Sequence, residues 1–159
     1  MDDDAPHDIA IARIGGKVAG ADDRCLARIR AAIRETLRRH DIASAHISVG
    51  LMDDARIAQL NEHHLGHTGP TDVLTFDLRD DVTAPIDGDM AISVETAARE
   101  AALRRHDVTA ELMLYAIHAT LHLLGYRDDT EADAARMHEM EDAVLVSLGV
   151  GAVYRARAS

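Results

Sequence analysis

The sequence predicts an α+β fold, a mixed α/β layer in which a small mixed four-stranded sheet packs with about five helices. Three observations predict it. Four short segments read as strands. Five longer segments read as helices, the first with a clear 3.6-residue apolar period. Their order is strand, helix, strand, helix, strand, strand, then three helices, which suits one small sheet and a helical C-terminal half. At 159 residues the chain is expected to be one domain spanning residues 1–159, long enough to bury a core.

The first strand is expected over residues 8–14, "DIAIARI", broken by Gly15, Gly16 and Gly20. The first helix, "ADDRCLARIRAAIRETLRRH", carries an apolar stripe of Leu26, Ile29, Ile33 and Leu37. Asp22 and Asp23 stand at its positive end, and Arg38 and Arg39 at its negative end. "AHISVGLM" alternates as a second strand, and "DDARIAQLNEHH" follows as a helix capped by Asp53. A third strand is expected over residues 71–78, after the turn-forming "TGP". Residues 79–88, with Pro85 and Gly88, read as a loop, and residues 89–94, "DMAISV", as the fourth strand. Three helices close the chain: "ETAAREAALRRH", "VTAELMLYAIHATLHLL" and "TEADAARMHEMEDAVLVSL", the last capped by Thr130 with Asp133 three residues on.

Composition excludes several functions. No apolar run is long enough for a membrane span. The acidic start "MDDDAPHDIA" has no apolar core of a secretory signal. The one cysteine, Cys25, can form no internal disulfide and suits a reducing cytoplasm. A formal charge of -11 argues against broad nucleic-acid affinity, because phosphate contacts then need clustered cations. With three Tyr, one Phe and no Trp, a base-stacking platform is not expected. Arg24, Arg28, Arg30, Arg34, Arg38 and Arg39 line the exposed side of the first helix and read as a solvated face rather than an RNA-facing patch. Arg104 and Arg105 answer a helix dipole, and Cys25, Met137 and Met140 read as core.

The chemistry concentrates in "AIHATLHLLGYRDDT". His118 and His122 are the notable polar residues of a helix that is apolar almost all round. Four residues place both rings on one face, about 6 Å apart along the axis. That spacing suits two imidazoles on one tetrahedral ion. Gly125 is placed to end the helix in a left-handed cap, and Asp128 lies in the turn that doubles back past His122. Two histidines and a carboxylate make a metal site with an open position. The same pair also fits two core histidines bonded to carbonyls. Position 119 is Ala, so the His-Glu-x-x-His base of a metallopeptidase is missing.

The stretch "HATLHLLGYRDD" resembles the H-G-x-L-H-L-x-G-Y-D-H signature of the YbeY family, the bacterial rRNA maturation endoribonucleases. "LNEHHLGHTGPTDVLTF" (60–76) resembles that family's L-N-x-x-Y-R-x-x-D-x-x-T-D-V-L-S-F, and "DGDMAIS" its L-G-D-I-x-I-S. "MHEMEDAVL" resembles its C-terminal helix. The resemblance implies a small mixed sheet packed with helices and one zinc ion per chain. It implies a single-strand-specific, zinc-dependent endoribonuclease in small-subunit rRNA maturation and ribosome quality control. It also implies partners: rRNA in the small subunit, and ribosomal proteins or a ribosome-assembly GTPase.

The implied ligands fall on His118, His122 and Asp128, the last where the family has a third histidine; Asp129 and His138 are the competing candidates. An aspartate ligand adds negative charge and should leave bound water less acidic. Leu65 stands where much of the family has an Arg, and His67, with His63 and His64 nearby, is the residue that would replace it in the substrate cleft. Thr71 and Asp72 match the motif. Thr71 reads first as a turn cap; Asp72 reads as a group orienting an imidazole or as a candidate base. Tyr126 reads as a turn residue with its hydroxyl free. Two rival functions remain: a ribosome-associated binding or assembly factor with weak or lost nuclease activity, and a metallopeptidase.

Overall fold

The structure is a computed structural model that describes residues 7–15, 18, 21–65 and 72–154, without the side chains of residues 64 and 65. Its elements are β1 (His7–Arg13), α1 (Asp23–Arg39), β2 (Ala45–Met52), α2 (Asp54–Leu65), β3 (Val73–Asp77), β4 (Ile86–Ser93), α3 (Val94–Arg104), α4 (Val108–Leu123) and α5 (Glu131–Ser147). The sheet order is β1-β2-β4-β3. β1, β2 and β4 run parallel, and β3 pairs antiparallel with β4. This is the α+β fold expected, with four strands and five helices among the described residues. None of these helices is long and apolar enough to cross a membrane.

Capping explains where the helices begin. The side chains of Asp22, Asp107 and Thr130 accept from the backbone N–H of Cys25, Ala110 and Asp133. Asp53 does the same for Arg56. Each satisfies one of the orphan donors of a first turn. The buried face of α1 is Cys25, Ile29, Ala32, Ile33, Thr36 and Leu37, so the expected stripe holds except at Leu26, which is half-buried. Several of its arginines are engaged locally: Arg28 and Arg30 donate to the carbonyls of Leu148 and Ile9, and Arg38 and Arg39 pair with Glu35.

Several strand boundaries differ from expectation. β4 opens at Ile86, inside the expected loop, and Val94 belongs to α3, for which Ser93 is the N-cap. Pro85 and Gly88 look like turn residues in the sequence, but Gly88 pairs with Ile47 of β2 and Asp77 of β3. A Cβ at Gly88 would sit 2.7 Å from a methyl of Leu123 and 3.1 Å from the Phe76 carbonyl oxygen. The glycine is there for close approach between helix and strand. β3 begins at Val73; Thr71, like Gly16, Gly20 and His67, lies outside the described residues.

The main core lies between the sheet and α1, α3, α4 and α5, with α4 at its centre. Ala110 to Ile117 of α4 are all buried, as are Ala119, Thr120, Leu121 and Leu123. A second cluster, Met52, Ile57, Leu74 and Ala91, packs beneath α2. The main core therefore holds α4 rigidly against β3 and β4, with its C-terminal turn at the edge of the protein.

Candidate metal centre

α4 stops after Leu123 in a turn that sets the path of residues 124–128. Gly125 has φ +99°, its N–H bonds to the His122 carbonyl at 3.0 Å, and the Tyr126 N–H bonds to the Leu121 carbonyl at 3.0 Å. These are the two bonds of a Schellman cap, with the left-handed residue where only glycine is unstrained. Arg79, from the β3–β4 connection, donates to the Leu123 carbonyl at 3.0 Å and pairs with Asp77. The chain thus reverses just below His122 and carries Asp128 back over it.

The reversal brings His118, His122 and Asp128 together. The two Nε2 atoms are 3.0 Å apart, and one Asp128 oxygen lies 3.7 Å from each. Donors about 2.0–2.1 Å from one tetrahedral ion stand about 3.3–3.4 Å apart, which these separations bracket. The side chains are 25%, 31% and 47% exposed, so the cluster is buried on its histidine side and open on its aspartate side.

Hydrogen bonds turn the Nδ1 atom of each ring away from the cluster. His122 Nδ1 lies 3.1 Å from the Tyr126 carbonyl, which can only accept, so Nδ1 donates and Nε2 keeps its lone pair. His118 Nδ1 lies 2.8 Å from Glu141 Oε2 and donates to it in the same way. Both Nε2 atoms and an Asp128 oxygen then face one another, a set that a shared proton or a bound cation would hold together. Glu141 is itself fully buried, and its second oxygen, Oε1, has no hydrogen-bond partner among the described residues. A buried carboxylate so poorly satisfied needs positive charge close by. The donor set and its surroundings fit a divalent cation. Burial would push the His118 ring down, but the Glu141 hydrogen bond and the charges of Glu141, Asp72 and Asp128 outweigh it and hold the ring above the ordinary imidazole value.

The other candidates lie elsewhere. Asp129 pairs with Arg127, and His138 stacks on Tyr154 with centroids 3.7 Å apart. Asp72 sits at the bend before β3, its side chain accepting from the Val73 N–H at 2.8 Å, near enough for its charge to act on His118. His63 is exposed within α2, which runs through His64 as expected and ends at Leu65, one residue further on. The Tyr126 hydroxyl is not free: it meets His40 Nε2 at 2.8 Å. Arg104, expected only to answer a dipole, pairs at 2.8 Å with the fully buried Glu111.

Glu141 is the residue that reasoning from the sequence missed. Its signal was present. Met137, Val144 and Leu145 are buried at helical spacing around it, so a carboxylate stands in the middle of an apolar stripe.

A buried helix presenting two imidazoles to a carboxylate across a glycine turn defines a candidate mononuclear metal centre with an open side. The family model described as Endoribonuclease YbeY matches residues 16–149. Among proteins named Endoribonuclease YbeY, that of Moorella thermoacetica is 42% identical over 116 residues, covering 67% of this chain and 74% of its own. That of Carboxydothermus hydrogenoformans is 35% identical over 129 residues, covering 81% and 90%. A solution structure from Thermotoga maritima is similar with a TM-score of 0.59 and 25% identity, over 88% of this chain and 91% of that one. The chain belongs to the Endoribonuclease YbeY family.

Proposed function

We propose that residues 1–159 form one zinc-dependent, single-strand-specific endoribonuclease domain. It acts in the cytoplasm on small-subunit rRNA, in its maturation and in ribosome quality control, with ribosomal proteins or a ribosome-assembly GTPase as partners. The observation that carries this reading is the His118, His122 and Asp128 cluster in a chain of this family.

His118, His122 and Asp128 would hold one zinc ion. A bound ion would supply Lewis acidity toward a phosphodiester oxygen and make a coordinated water more acidic. The protein's own part is positional. Nδ1 donation to Tyr126 and Glu141 keeps both Nε2 lone pairs directed at one point. The exposed Asp128 side leaves room for a phosphate. Asp72 is the candidate to accept a proton from water, and Thr71 and His67 would line the cleft through which RNA reaches it.

One observation favours a second reading, a ribosome-binding factor with little nuclease activity: Leu65 stands where the family motif has a cleft cation. The discriminating experiment presents the zinc-loaded protein with a labelled single-stranded RNA and its duplex. Internal cutting of the single strand, absent with His122→Ala and with chelator, supports the nuclease. Uncut RNA with retained binding to small-subunit particles supports the second reading.

A further inference from the structure

The geometry points to Glu141 as a positioning residue for the candidate metal centre: it fixes the tautomer of His118 and, with Asp128, supplies the two negative charges that a divalent ion neutralises. This rests on the metal reading of His118, His122 and Asp128.

Glu141 comes from α5 and meets His118 of α4 across 23 residues of sequence. Nothing in the packing of α5 calls for a carboxylate there. Its neighbours along the stripe, Met137, Val144 and Leu145, are each fully buried and apolar. A leucine or methionine at 141 would join the core without a desolvation cost. Glu141 Oε2 instead accepts, at 2.8 Å, from the ring nitrogen of His118 that faces away from the cluster, while Oε1 has no partner among the described residues.

That bond does two things. It holds the His118 proton on Nδ1, so Nε2 faces His122 and Asp128 as a lone pair, and the ring cannot rotate without breaking the bond. It also places charge. Two neutral imidazoles contribute none, Asp128 and Glu141 contribute one negative charge each, and a divalent ion brings the group to neutrality. Without an ion the His118 ring lies between the two carboxylates, 2.8 Å from Glu141 and 3.7 Å from Asp128. Glu141 therefore adds negative charge that an ion at the cluster would neutralise.

In Glu141→Gln the side-chain oxygen can still accept from Nδ1, but the charge is gone. Zinc affinity, read by competition with a chromophoric chelator, is expected to fall about 10- to 100-fold. The melting temperature of the zinc-free variant is expected to stay closer to that of zinc-free wild type than the melting temperature of the zinc-loaded variant does to that of zinc-loaded wild type. A variant that melts lower with and without zinc alike, at unchanged zinc affinity, would overturn the proposal. A second measurement needs no variant: long-range proton–nitrogen NMR of zinc-loaded wild type should show His118 protonated at Nδ1. A proton at Nε2 would overturn it. The metal reading fails separately, if wild type itself takes up no zinc; equal zinc binding by wild type and Glu141→Gln overturns only the role of Glu141.

Discussion

The hydroxyl of Tyr126 and Nε2 of His40 lie 2.8 Å apart, and this bond ties the turn behind the histidine pair to the C-terminal end of α1. His40 Nδ1 lies 2.7 Å from the Thr36 carbonyl and must donate to it, so Nε2 accepts and the tyrosine donates. The same residue's carbonyl holds His122. Tyr126→Phe is expected to cost about 0.5–1.5 kcal/mol, the net value of one such bond. Urea unfolding of wild type and variant measures it. An unchanged midpoint would show that α1 does not anchor the turn.

Gly88 sets how closely α4 approaches the sheet. A methyl group there meets both methyls of Leu123, at 2.7 and 2.8 Å, one residue beyond His122. Gly88→Ala is expected to destabilise the fold by about 1–3 kcal/mol through overpacking. It should also weaken zinc binding, because the clash displaces the end of α4. Denaturant unfolding and chelator competition on the same preparation check both parts.

Asp54 joins α2 to α3. It accepts from the hydroxyls of Ser93 and Thr96 and pairs with Arg99 at 2.8 Å. Burial pushes its carboxyl up, but those hydrogen bonds and the Arg99 charge outweigh it and hold its pKa below the usual value. A depressed folded-state pKa gives stability that is present above the unfolded value of about 3.9 and is lost as pH falls through the folded one. Asp54→Asn should therefore cost about 1–2 kcal/mol near neutral pH. The gap to wild type should close as pH drops below about 4. Urea midpoints measured from pH 7 down to pH 3 give the answer; a gap independent of pH would rule out the charge.

Asp129 and His138 test the identity of the third ligand by exclusion. Asp129 is turned to Arg127 and His138 to Tyr154. Asp129→Ala and His138→Ala should each keep full zinc content by elemental analysis. Loss of zinc in either would assign the third ligand elsewhere.

Local signals were legible in the sequence and long-range ones were not. The buried helix, its glycine stop and the return of Asp128 all lie within one short stretch, where turn chemistry is local. The caps at Asp53 and Thr130 were equally local. The start of β4 was misjudged because a glycine needed for close packing looks the same as one needed for a turn. Glu141 was overlooked because its partner sits on another helix; its place on the stripe of Met137 and Leu145 marked it only as a polar residue inside a core. The Tyr126 hydroxyl found its partner, His40, 86 residues away.

The central claim is that His118, His122 and Asp128 hold one zinc ion. The most direct test is elemental analysis of tag-free protein purified without chelator, for wild type and Asp128→Ala. The account predicts about one zinc per chain in wild type, as a single site of this kind takes, and its loss in the variant. Wild type without zinc, or a variant that keeps it, would contradict the account.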